Sequence, residues 1–144
     1  MKALFSAVLS VALGLGRLLA DPASDLQTVQ GHWQPSQAEI AGKPMPDAFV
    51  KSVRMSLKNG KYEVMVGDKP DRGTYTLDAS SKPRQMIIVG TDGPNVGKTF
   101  PAIYEITGDT LRICYDLSGM KAPTEFKTLP GTRLYLVTYR RSND

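Results

Sequence analysis

One cysteine, Cys114, and one histidine, His32, are all that 144 residues provide of the two most reactive side chains. A lone thiol cannot close an intramolecular disulfide, so the fold has to rest on its core. A zinc site normally recruits several His or Cys side chains, so no metal is expected. A histidine-based triad would have to use His32, and no G-x-S-x-G accompanies it. His32 is therefore expected to be structural or solvent-facing, and no catalytic residue is assigned. Cys114 lies between Ile113 and Tyr115 in a strand-like run, where a buried, inert thiol is the expectation; only Arg112 is placed to lower its pKa. Carboxylates are also sparse away from turns. Asp68, Asp71, Asp78, Asp92 and Asp109 stand in turn surroundings. Glu105 and Glu125 are the acids in strand-like surroundings, and both read as surface groups rather than as a hydrolytic pair.

Charge of one sign is lacking too. The 18 Lys and Arg against 14 Asp and Glu leave a formal charge of +4. The bases cluster in turn-like stretches such as "KNGK", "GDKPDRG" and "SSKPR", with no basic stripe interleaved with aromatics, so no nucleic-acid partner is expected. One stretch, "GPNVGKT" at residues 93–99, imitates a phosphate-binding loop. Gly93 and Gly97 are one residue too close for that pattern, and Pro101 with the β-rich "FPAIYEI" follows where a helix N-terminus would have to cradle the phosphates. The stretch is read as a Gly/Pro/Asn link between two strands. No nucleotide and no cofactor is expected.

Long hydrophobic runs are confined to the start. Lys2 precedes an uncharged, mostly apolar stretch from Ala3 to Gly16, interrupted by Arg17 and ending in "LLA" before the polar "DPASD". This is the layout of a secretory signal peptide over residues 1–20, cleaved after Ala20 or alternatively after Gly16. The run is too short for a membrane span, which needs about 20 apolar residues. The expected product is an exported protein, periplasmic or extracellular, with a single domain over residues 21–144 and no stable membrane span after cleavage. Losing Lys2 and Arg17 lowers its formal charge to +2.

Helical periodicity is nearly absent from that domain. A short helix is expected within residues 21–30, with Ser24 or Asp25 as its cap, and "MPDAFV" can make one helical turn. The rest alternates. Val53, Met55 and Leu57 face one way, "NG" at 59–60 marks a tight hairpin, and Tyr62, Val64 and Val66 return. "GDKPDRG" reads as a turn, "GTYTLD" as a strand, and "RQMIIVG" as a strand apolar on both faces. "FPAIYEI", "LRICYD" and "RLYLVTYR" follow as strands, with "TEFK" as an optional short ninth. Eight main strands with hairpin-sized connections predict an all-β antiparallel meander, closed into an up-and-down barrel that removes its edges. Such a barrel either fills its interior or holds one small ligand. The six tyrosines carry that ambiguity. They are ordinarily packing residues, but in a hollow barrel Tyr75, Tyr104 and Tyr115 are expected to line a pocket.

Gly31-His32-Trp33 at the start of the first strand and Arg140-Arg141 at the end of the last resemble the lipocalin pattern, in which a tryptophan closes the base and an arginine packs across it. Gly31, Trp33, Arg140 and Arg141 are thus the expected closure residues. More widely, "GHWQ", "AGKPMP", "GTYTLD", "TDGPNVGKTFPAIYEITGDTLRICYD", "PTEFKTLPG" and "LVTYRR" resemble an uncharacterised lipocalin-like domain family of planctomycete-type bacteria, over roughly Gln30 to Arg141, with Thr91–Asp116 the most specific block. The resemblance implies the barrel and names no catalytic residue. The functional expectation is a non-catalytic domain that binds a small apolar or amphipathic ligand. Its alternative is a protein-interaction or inhibitor module of the cell envelope with a filled core.

Overall fold

The structure is a computed structural model and describes residues 22–143. The signal-peptide reading of residues 1–20 lies outside the described residues. Nine strands and two short helices follow one another: α1 (Pro22–Thr28), β1 (Gly31–Ile40), β2 (Lys43–Pro44), α2 (Asp47–Ser52), β3 (Val53–Lys58), β4 (Lys61–Val66), β5 (Lys69–Asp78), β6 (Arg84–Asp92), β7 (Thr99–Thr107), β8 (Thr110–Asp116) and β9 (Leu134–Ser142). All neighbouring strands pair antiparallel, and β1 also pairs with β9. The result is a closed, lipocalin-like up-and-down barrel of eight strands, with β2 a two-residue appendage to β1. Closure pairs β1 with β9, so the eight-stranded meander has no free terminal strand, although β1 and β3 pair only over Gly31, His32 and Trp33.

The local chemistry explains the turns. Asn59 and Gly60 both have positive φ, 50° and 80°, the conformation of a two-residue hairpin turn, and Lys58 and Lys61 pair across it. On β1, Pro35 sits beside a bulge, where register with β9 shifts between Pro35 and Gln37. A proline cannot donate to a ladder, and a bulge accommodates that. The bulge also changes phase: Trp33 and Pro35 are buried before it, Ser36 and Gln37 are both exposed, and Ala38 is buried after it. The same strand thereby presents Trp33 at one end of the barrel and Ile40 at the other.

Four local expectations are corrected. The first helix starts at Pro22, so Ser24 and Asp25 lie within it and do not cap it. The turn in "GDKPDRG" is confined to Gly67–Asp68, because Lys69 and Pro70 already pair with Val66 and Met65. In "RQMIIVG", Met86 and Ile88 are buried while Ile87 is 37% exposed, so the strand is two-sided after all. "TEFK" is not a strand. Both edges of β8 are occupied, by β7 and β9, leaving no ladder for it to join. Residues 117–133 instead fold over the barrel's outer wall. Phe126 lies under Arg112, whose guanidinium carbon is 4.3 Å from the ring centroid. Cys114 Sγ donates to Lys127 O at 3.7 Å, and Thr128 Oγ1 donates to Glu39 at 2.6 Å.

Candidate functional site

The two ends of the barrel are built differently. At the base, where β1 begins and β9 ends, the interior is filled. Trp33 is fully buried and donates its indole N–H to Val29 O at 2.8 Å, the carbonyl just beyond α1. Arg141, directly opposite Trp33 in the β1–β9 register, lays its guanidinium over the indole at 4.3 Å. Its Nη1 and Nη2 donate to Gln30 O at 2.8 Å and Thr28 O at 2.9 Å, so the arginine also ties the chain after α1 to the barrel. Arg140 points the other way and is exposed, as strand alternation requires. Gly31 needs its positive φ of 134° and the missing side chain, because a Cβ would come 2.8 Å from Arg141 Nη1.

Tyr104 belongs to this base. It faces inward but does not line the open space. Its hydroxyl donates to Asp25 Oδ2 at 2.6 Å, and Arg84 Nη1 reaches the same carboxylate at 3.1 Å. Asp25 is itself buried, so α1 contributes a paired acid to the plug. Burial, followed by the Asp25 hydrogen bond, raises the Tyr104 phenol well above its ordinary value. The plug was legible in Gly31-His32-Trp33, whereas nothing in the sequence announced the Tyr104–Asp25–Arg84 cluster, which joins three distant segments.

Toward the other end the interior is hollow. A cavity of about 750 Å³ lies between the sheet walls, lined by Met55, Val64, Met86, Ile88, Phe100 and Ile113 among others. Tyr62, Tyr75, Tyr115, Tyr135 and Tyr139 also line it. Tyr75 and Tyr115 are therefore wall residues, and Tyr104 is not. The rings of Tyr115 and Tyr135 stack with centroids 5.5 Å apart, and the Tyr115 and Tyr139 hydroxyls share a hydrogen bond of 2.7 Å. Burial first, then the charge of Asp71, pushes Tyr62 up to about 12. Burial likewise pushes Tyr135 up to about 12 and raises Tyr75, Tyr115 and Tyr139. The Tyr75 hydroxyl and Asp71 Oδ1 are buried in the wall without hydrogen-bond partners.

The cavity opens where Val66, Lys98, Gly119 and Arg133 join its lining, since all four are exposed. Three pieces shape this mouth. Base-side pairing of β1 with β3 stops at Trp33–Met55, and α2 with its approach fills the gap beyond, supplying Met45 and Phe49 to the lining. The "GPNVGKT" stretch is a strap folded against β5 and β6. Asn95 Nδ2 donates to Asp71 at 2.7 Å, Gly97 N to Gly90 O at 2.9 Å, and Gly90 N to Lys98 O at 2.9 Å. Gly90 is required because a Cβ there would overlap Asn95 O. The strap runs directly into β7, with no helix after it. Residues 117–121 form the third piece. Asp116 accepts from Ser118 N, Ser118 Oγ, Met120 N and Lys121 N. Burial alone would raise this carboxyl, but the hydrogen bonds outweigh it and hold it below the usual range.

The remaining candidates stay apart. His32 is exposed, with Nδ1 3.0 Å from Ser56 Oγ. Cys114 is buried, and burial raises its thiol. Glu105 pairs with Arg112 at 2.7 Å on the outer wall, and Glu125 is exposed in the 117–133 segment. Neither glutamate lines the cavity. Among the described residues no three His, Cys, Asp or Glu side chains stand together as a metal site would require. No family model, curated protein or solved structure gives a significant match to this chain.

Proposed function

We propose that the protein is an exported, non-catalytic carrier that holds one small apolar or amphipathic molecule in its barrel, as a member of the lipocalin-like family its sequence resembles. The observation that supports this reading is the cavity. Its volume of about 750 Å³ lies within the usual range for small-molecule sites, and its walls are aliphatic and aromatic. Stacked Tyr115 and Tyr135 offer a flat face suited to a conjugated or ring-bearing ligand. Among the described residues the cavity lining carries one carboxylate, Asp71, and no histidine, which suits enclosure better than reaction.

Native mass spectrometry of protein purified from its source tests the reading. The expected result is an adduct of a few hundred daltons that denaturation releases, in keeping with what such a volume encloses. Val64→Trp, which sets a bulky ring in the cavity, should weaken both the adduct and saturable uptake of an apolar fluorophore. A folded protein with no adduct and no saturable uptake, or with uptake unchanged by Val64→Trp, refutes it.

A further inference from the structure

Large apolar side chains left in water are not scattered over the barrel. Among the described residues they are Val66 at 38% exposure, Ile87 at 37%, Val96 at 59%, Met120 at 82% and Leu129 at 45%. Ile87 sits mid-strand, but the others belong to the mouth end. Val66 closes β4 and lines the opening. Val96 is the tip of the strap, between Asn95 and Gly97. Met120 follows Gly119, where a Cβ would lie 3.0 Å from Thr99 O at the start of β7. Leu129 precedes Pro130, which packs on Gly42 just past the end of β1. Cations stand between these tips. Lys69, Lys98, Lys121 and Arg133 are exposed, and none takes part in the ion pairs of the described residues. The exposed acids nearby are Asp47, Asp68 and Asp92, the last paired with Arg72.

We propose that this rim docks the barrel, mouth down, on an anionic lipid surface. Single aliphatic tips on separate loops do not make the continuous apolar core that a protein interface requires. They do match a headgroup layer, into which each tip can sink while the neighbouring ammonium and guanidinium groups stay among phosphates. The bases outnumber the acids at the rim, which fixes the sign of the surface as negative. The strap is suited to the role because its backbone is pinned by Asn95–Asp71 and by the Gly90 and Gly97 hydrogen bonds, which holds the exposed Val96 side chain at its tip ready to enter the lipid. Docking of this kind opens the apolar cavity directly toward hydrocarbon. The proposal concerns the rim and stands whether or not a ligand fills the barrel.

The experiment places an environment-sensitive fluorophore on Val96→Cys in the full chain, with Lys61→Cys at the base hairpin as control. Native Cys114 is buried and does not compete for label. Vesicles of phosphatidylcholine containing phosphatidylglycerol should shift the Val96 label to the blue and brighten it several-fold, leave the Lys61 label unchanged, and lose the effect at high salt. Neutralising Lys98 and Lys121 to Gln should weaken the response about fivefold for each lysine, from the usual worth of one basic residue at an anionic membrane. Met120→Asp should weaken it further. Equal response to pure phosphatidylcholine, or a response at Lys61 and none at Val96, overturns the proposal. Vesicle binding that leaves the Val96 label silent also overturns it and assigns the contact to another part of the chain. A Val96 label that responds to a protein and to no vesicle makes the rim a protein-docking surface instead.

Discussion

The base and the mouth of the barrel use the same residue types to opposite ends. At the base, a tyrosine hydroxyl, an acid and two arginines are joined to one another or to backbone carbonyls, and Trp33 leaves no room between them. Along the cavity wall, the hydroxyl of Tyr75, whose N–H bonds Gly60 O in the base hairpin, and one oxygen of Asp71, nearer the mouth, are buried unpartnered, and the space between the walls is open. The base is held by a filled, hydrogen-bonded plug, and the rest of the interior keeps its room.

The largest test of that division is Trp33→Ala. It should cost about 3–5 kcal/mol in urea unfolding, the usual loss for a buried aromatic. A cost as small as that of a wall residue would dissolve the distinction between the ends. Alkaline pH should act next, through several phenols at once. Tyr62 and Tyr135 are raised to about 12 in the folded state against an ordinary 10, so the folded protein keeps their protons while the unfolded chain gives them up. Their stabilising share is complete below pH 10 and is lost as pH rises toward 12. Tyrosinate absorbance should therefore rise together with loss of the fold, rather than before it.

Tyr104→Phe and Tyr75→Phe should differ in sign. The first strips a buried carboxylate of a donor and should cost about 1–3 kcal/mol. The second removes a hydroxyl that has no partner and should leave stability unchanged or raise it by up to about 1 kcal/mol. Equal losses in thermal or urea unfolding would contradict the contrast. A double-mutant cycle sharpens the base further. Trp33→Ala and Arg141→Ala should couple by about 0.5–2 kcal/mol, while Trp33→Ala and Arg140→Ala should add. The smallest effect is expected at the mouth. Lys98→Ala should change stability by no more than about 0.5 kcal/mol, since the side chain is exposed.

Much of the barrel was legible in the sequence because alternation and turn chemistry are local signals. Asn59-Gly60 specifies its hairpin unaided, and Trp33 with an arginine at the far end of the chain points to closure from the sequence alone. Which arginine meets the ring was not legible, because that depends on the phase of β9 relative to β1 across a bulge. The hollow interior was not legible for a similar reason. Tyr104 and Tyr115 look alike in sequence, and only α1 bringing Asp25 against one of them decides that it plugs while the other lines. "TEFK" offers only an optional short strand by composition, and a ladder needs a free partner, which closure uses up. The strap imitates a phosphate loop through glycines it needs for other reasons, Gly93 for close approach to Pro70 O and Gly97 for its positive φ of 81°.

Pairing of β1 with β9 carries one more consequence, for the order of folding. The last wall of the barrel is made by the first and last strands, so no partial chain can complete it. A chain emerging from its amino end can form the β3–β4, β4–β5 and later hairpins in turn, each between neighbours. Trp33 must wait, without Arg141, until nearly everything else has been made. Contacts of such long sequence separation close late and slowly. A chain truncated before β9 should therefore leave β1 and β8 as bare edges.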